Sequence, residues 1–139
     1  MIILDTNVLS EMLRLQPEKS VIDWLASKGI AQMFTTAVTE AEIRYGVDRL
    51  EPGKRKDTLA LAVAGLFSSD LAGRILAFDS EAAVIYGHIV SVRERSGRPI
   101  SQFDAQIAAI ARSCGADIAT RNVRDFEDCG VRLVNPWQD

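Results

Sequence analysis

The apolar positions of the chain change period repeatedly. Ile2 to Leu4 is a short β-branched run closed by Asp5-Thr6-Asn7, after which Val8, Leu9, Met12 and Leu13 recur at helical spacing. That pattern predicts a strand passing directly into a helix. Pro17-Glu18 opens a second helix with Val21, Ile22, Trp24 and Leu25 on its apolar face and Gly29 at its end, and Met33 to Thr36 reads as a second strand. A helix from Thr39 carries Ala41, Ile43, Tyr45, Val47 and Leu50 as far as Pro52-Gly53. Another starts in Lys54-Arg55-Lys56 and continues through Leu59, Leu61, Val63, Leu66 and Phe67, so the two form a helical hairpin.

Arg74 to Asp79 predicts a third strand. Ser80 is expected to cap the next helix, which carries Ala83, Val84, Tyr86, Gly87, Ile89 and Val90 and ends near Gly97 and Pro99. Ser101 starts a further helix with Ile107, Ala108, Ile110 and Ala111 on one face, stopped at Gly115, and Asp117 to Thr120 and Val131 to Val134 complete the pattern as short strands. Five strands with helices between nearly all of them predict the α/β class, here a three-layer α/β/α arrangement around a mostly parallel five-stranded sheet, in one domain over residues 1–139.

Composition narrows the options. With 139 residues, 47% of them hydrophobic and 25% charged, the chain can bury a core without a disulfide or a structural metal. Sixteen basic against nineteen acidic residues exclude a globally basic nucleic-acid binder, so any contact with phosphates must come from local charge. The candidates are Arg44 and Arg49, Lys54-Arg55-Lys56, the group Arg93, Arg95 and Arg98, and above all Arg121 and Arg124. Cys114 and Cys129 have neither paired spacing nor histidine neighbours, which fits a buried thiol and a loop thiol in a reducing, cytoplasmic setting. The longest apolar or glycine run, Leu59 to Phe67, has nine residues where a membrane span needs about 20. Met1-Ile2-Ile3-Leu4 reads as a strand and not as a signal peptide.

Ligands of an open parallel sheet bind at the carboxyl ends of its strands. There the chain places Asp5 after the first strand and Glu42 in the first turn of the helix after the second. Asp104 falls in the first turn of the helix from Ser101, and Asn122 and Asp125 follow the strand at Ile118. Carboxylates gathered at one spot repel one another unless a divalent cation offsets their charge, and oxygen donors without cysteine or histidine point to Mg²⁺ or Mn²⁺. The same residues have structural readings: Thr39-Glu40-Ala41-Glu42 has the capping-box pattern, Ser101 to Asp104 is close to it, and Asp5 can cap a helix. The residue pattern alone leaves both open. His88 is the single histidine, which excludes a metal-free mechanism using paired histidines and suits a structural position within a helix. A haloacid-dehalogenase site needs a second aspartate two residues after the first, where this chain has Asn7.

Four stretches carry a resemblance. Ile3-Leu4-Asp5-Thr6-Asn7-Val8-Leu9, Thr39-Glu40-Ala41-Glu42-Ile43-Arg44-Tyr45-Gly46, Phe103-Asp104-Ala105-Gln106-Ile107-Ala108-Ala109-Ile110-Ala111 and Ala119-Thr120-Arg121-Asn122-Val123-Arg124-Asp125-Phe126 resemble, in order, the signature segments of PIN-domain proteins. Within that family the chain is most similar to bacterial toxins of the VapC and FitB type, over essentially its whole length to Val134-Asn135-Pro136-Trp137. The resemblance implies a Mg²⁺- or Mn²⁺-dependent endoribonuclease, a homodimer, that hydrolyses RNA phosphodiesters as the toxin of a pair and is neutralised by a small antitoxin. It also implies that Asp5, Glu42 and Asp104 are metal ligands, with Thr6, Asn7 and Thr120 as supporting polar residues. Asn122 departs from the pattern, since many family members have aspartate there, and the next carboxylate is Asp125. The expected catalytic set is therefore Asp5, Glu42, Asp104, Asp125, Asn122 and Thr120. The alternative is a PIN-fold binding module that acts mainly as partner of a DNA-binding antitoxin in a repressor complex.

Overall fold

Uninterrupted apolar residues on short strands need cover on both faces of a sheet, and the fold supplies it. The computed structural model describes Met1 to Asp139. Its elements are β1 (Ile2–Leu4), α1 (Thr6–Met12), α2 (Lys19–Lys28), β2 (Met33–Thr36), α3 (Ala37–Asp48), α4 (Lys54–Gly65), β3 (Ile75–Leu76), α5 (Ser80–Arg95), α6 (Gln102–Cys114), β4 (Asp117–Ala119) and β5 (Leu133–Val134). The strand order is β3-β2-β1-β4-β5 and every pairing is parallel, with Ile3 opposite both Phe34 and Ile118.

Period-two alternation divides the core. Ile2, Leu4, Met33 and Ala119 pack under α1 to α4 with Val8, Leu9, Trp24, Leu25, Ile43 and Phe67. Ile3 and Ile118 face the other way, toward Ile89, Ile107 and Ile110 of α5 and α6. Thr35, fully buried in β2, satisfies its hydroxyl on the Leu4 carbonyl at 3.0 Å. The chain adds β2 and β3 on one side of β1, then returns through α5 and α6 to add β4 and β5 on the other. Because such crossovers are right-handed, reversing their direction moves the helices to the opposite face, and a crevice opens at the carboxyl ends of β1 and β4.

Several expectations are corrected. The helix after β2 begins at Ala37 instead of Thr39, because the Thr36 hydroxyl caps it by accepting from the Thr39 amide at 3.1 Å. Glu42 thus lies in the second turn and not in a capping box. The third strand is two residues long, and Asp79, not Ser80, caps α5 by accepting from Ala82 N at 3.0 Å. The last strand begins at Leu133 instead of Val131. The thiols are reversed: Cys114 is exposed at the end of α6, where Gly115 turns the chain with φ 64°, and Cys129 is buried against Phe126. Of the Leu59 to Phe67 run, Val63, Leu66 and Phe67 are buried and Leu61 is 76% exposed. No helix is long and apolar enough to cross a membrane.

Candidate active site

Asp5 caps α1 where β1 ends. Its Oδ1 accepts from Thr6 N at 2.8 Å, and its Oδ2 accepts from Thr120 Oγ1 at 2.8 Å and Asn7 Nδ2 at 3.2 Å. The Asp5 amide donates to Ala119 O at 3.0 Å, so the carboxylate sits over the β1–β4 junction, only 5% exposed. Asn7 also accepts from the Arg121 amide at 3.1 Å, and the Thr120 hydroxyl accepts from the Asn122 amide at 3.0 Å. Thr6 ties two acids together: its amide serves Asp5, and its hydroxyl donates to Glu42 Oε1 at 3.0 Å. Asp104 is the third residue of α6, whose N-terminus is capped by Ser101 Oγ accepting from Asp104 N at 3.1 Å.

Asp125 lies in a 3₁₀ turn, Val123–Phe126, which Arg93 of α5 holds from below. Arg93 is 5% exposed. Its Nε donates to Arg98 O at 2.7 Å and its Nη1 to Asp125 O at 2.9 Å and Glu127 O at 3.0 Å. Three carbonyl dipoles thus meet a buried charge that has no carboxylate partner.

These segments enclose a cleft of about 550 Å³ lined by Asp5, Thr6, Asn7, Glu42, Asp104, Asn122 and Asp125. Thr120 is buried beneath it and acts on Asp5. Ser10, Glu11, Arg14, Arg121 and Trp137 complete the lining. Of these only Arg121 is anticipated as a site residue; the signal for Glu11 and Arg14 is their i,i+3 spacing on α1 and its exit.

Burial is the main force raising the Asp5 carboxyl above its ordinary value. The Thr120 and Thr6 hydrogen bonds work against it, and the charges of Glu42 and Asp125 add to it. Glu42 is raised by burial and by Asp104, against the Thr6 hydroxyl. Asp104 is raised by burial and by Asp5 and Asp125, against Ser101 and Arg93. Each acid therefore feels others of the set. They ring the cleft without closing on one point, and no three acidic, histidine or cysteine side chains are gathered to hold one ion. The donors still fit a hard divalent cation. Mg²⁺ commonly takes only one or two carboxylates and keeps several waters, and every donor here is an oxygen.

The structure also sorts the basic residues. Arg93 is buried and out of reach of any RNA. Arg44 pairs with Glu40 at 2.8 Å and lies over the Phe67 ring at 5.2 Å, and Arg98 pairs with Glu127 and Asp128. Arg121 lines the cleft, whereas Arg124 is exposed outside it. His88 is exposed on α5 and takes no part in the cleft.

Comparison with known proteins places these features in a family. The PIN domain model matches residues 2–130. Toxin FitB of Neisseria gonorrhoeae is 41% identical over 139 residues, all of both chains. VapC ribonuclease Y4jK of Sinorhizobium fredii is 36% identical over 138 residues, 99% of each chain. A solved structure of FitAB bound to the IR36 DNA fragment contains a chain that superposes with TM-score 0.94 at 40% identity, covering 100% of this chain and 97% of that one.

Proposed function

The chain belongs to the PIN-domain family, and on that premise we propose that it is the ribonuclease toxin of a toxin–antitoxin pair, hydrolysing RNA phosphodiesters with a divalent cation. One observation carries the reading: Asp5, Glu42, Asp104 and Asp125 reach a single cleft from four separated segments and three of them are raised by burial and mutual repulsion. None of the four is paired with an arginine or lysine. The names of the FitB and VapC relatives agree with it.

Asp5, Glu42 and Asp104 would hold Mg²⁺ or Mn²⁺, one or two of them directly and the rest through the cation's waters, with Asp125 and Asn122 also taking part through water. A cation bound there supplies Lewis acidity, lowering the pKa of a bound water and offsetting charge on the phosphodiester. The chain's own contribution is preorganisation. Thr6 and Thr120 fix the Asp5 carboxylate, the Thr6 hydroxyl fixes Glu42, and Asn7 ties Asp5 to the Arg121 backbone. Arg121 then stands beside the acids to position a phosphate.

The FitAB complex with DNA supports a DNA-binding antitoxin as partner. A cation from that partner placed against the acids would exclude metal, and exposed Tyr45 and Leu61 on the α3–α4 hairpin offer apolar docking area. The toxin is taken to be a homodimer. The test is RNA cleavage by the purified chain, free of antitoxin, with Mg²⁺ and with chelator. Cleavage only with Mg²⁺ is the expected result. A chain that cuts nothing yet binds antitoxin and operator DNA tightly is instead the repressor partner, the reading that the DNA-bound relative favours.

Asn122 makes a separate prediction. It faces the cleft beside Asp125 with a neutral amide, so Asn122→Asp adds a charged oxygen and should tighten Mn²⁺ binding about tenfold, roughly 1.4 kcal/mol. Calorimetric titration showing unchanged or weaker affinity would remove Asn122 from the metal's surroundings.

A further inference from the structure

The cleft contains five acids against two arginines, so a polyanion cannot lie along it uniformly. It must enter where the cations are. We propose that Arg14 and Arg121 form a phosphate-binding subsite that holds the RNA backbone next to the scissile phosphate, with Glu11 as the positioning residue that sets it. This rests on the ribonuclease reading above and adds where the substrate is gripped.

The subsite is built, not incidental. Glu11 is 5% exposed near the end of α1, and its Oε2 accepts from the Glu18 amide at 2.9 Å, which clamps the carboxylate to the turn before α2. Both its oxygens accept from Arg14 Nη1, at 3.2 and 3.0 Å. The Glu18 amide, with Arg14 and Arg121, holds the Glu11 carboxyl below its ordinary value. One buried anion therefore anchors Arg14 directly and attracts Arg121 through space. Arg14 uses a single nitrogen for that contact and is 59% exposed, which leaves its other N–H donors for a ligand.

Arg121 is fixed differently. Its guanidinium lies over the Trp137 ring at 5.0 Å, and Trp137 packs against the core cluster beneath α1 to α4. Stacking on an aromatic face leaves the in-plane N–H groups of a guanidinium free for a phosphate. The backbone amide of Arg121 is bonded to Asn7, which in turn donates to Asp5. Two hydrogen bonds thereby fix the Arg121 backbone relative to Asp5, and the Trp137 ring holds the guanidinium from there. A phosphate held by Arg14 and Arg121 places its neighbour over the acids.

The test uses the full-length chain with Asp104→Asn, in which cleavage is expected to fall by about 100-fold or more, and measures binding of a labelled single-stranded RNA in chelator over a range of salt. Adding Arg14→Ala or Arg121→Ala should weaken binding about 3- to 10-fold and reduce the slope of log K against log salt by about 0.7 each. Arg14→Lys should restore the slope without restoring the full affinity, since lysine keeps the charge and loses the fork. In the cleavage-competent chain the same alanine variants should raise KM with little change in kcat. Glu11→Gln should weaken RNA binding while retaining both cations. An unchanged salt slope in both arginine variants, in a chain that still binds and cuts RNA, overturns the subsite and leaves the ribonuclease reading in place. A native chain that neither binds nor cuts RNA overturns both.

Discussion

Asp104→Asn is expected to reduce metal-dependent RNA cleavage by about 100-fold or more and, in the same preparation, to raise the melting temperature of the metal-free protein at pH 7. The first effect follows from removing a charged oxygen from a set whose task is to hold a cation worth several kcal/mol of transition-state stabilisation, each 1.36 kcal/mol being tenfold in rate. The second follows from burial and from the charges of Asp5 and Asp125, which raise the Asp104 carboxyl. A carboxyl with a raised folded pKa contributes its stability fully below the unfolded pKa and loses it as pH rises through the folded value. Ionisation of Asp104 is therefore opposed by its surroundings as pH rises, and asparagine removes that opposition. The gain in melting temperature should vanish near pH 3.5, below the ordinary aspartate value of about 3.9.

Asp5→Asn makes the control. It should abolish cleavage as well, but its Oδ2 accepts from both Thr120 and Asn7, and an amide nitrogen there would face the Asn7 amide donor to donor. Relief of charge is offset by a lost hydrogen bond, so no comparable rise in melting temperature is expected. Adding Mg²⁺ should stabilise the native chain by linkage and stabilise either variant less. Cleavage by Asp104→Asn at the native rate, or a melting temperature at pH 7 below that of the native chain, would contradict the assignment.

The strands were legible because each is a short apolar run stopped by polar residues, and the acids were legible because they follow those stops. What escaped depends on contacts between distant segments. Thr36 and Thr39 are equally good caps on paper. The end of β2 decides for Thr36, and the Thr39 hydroxyl, inside the helix, instead lies 3.3 Å from that of Thr6. Glu11 reads as an ordinary helical acid until the turn before α2 brings the Glu18 amide onto it. Trp137 reads as closing the chain, and its place under Arg121 depends on β5 joining the sheet beside β4. Arg93 reads as one of three basic residues at a helix end. Its spacing from Ala82 and Ile89, both on the buried side of α5, marks the inward face, but a charged residue there is legible only once its acceptors are known.

Those acceptors make Arg93→Met the substitution with the largest expected effect on stability. The thioether fills part of the space but donates nothing, so the carbonyls of Arg98, Asp125 and Glu127 lose their partner. At about 1–3 kcal/mol for each buried group left unsatisfied, a loss of about 3 kcal/mol or more follows, or on the order of 10 °C in melting temperature for a chain of this size. Some carbonyls will recover water where the loop is exposed, which places the loss near the lower end of the range. Arg93→Lys keeps the charge but cannot reach three carbonyls from one nitrogen with the same geometry, and should fall between the two. The loss should also reach the cleft, because the 3₁₀ turn carrying Asp125 hangs on the Arg93 bond to its carbonyl. Mn²⁺ titrated into the folded Arg93→Lys chain should therefore bind more weakly than into the native chain. Unchanged Mn²⁺ affinity alongside a lowered melting temperature would show that Arg93 serves the fold alone and that Asp125 stands clear of the cation.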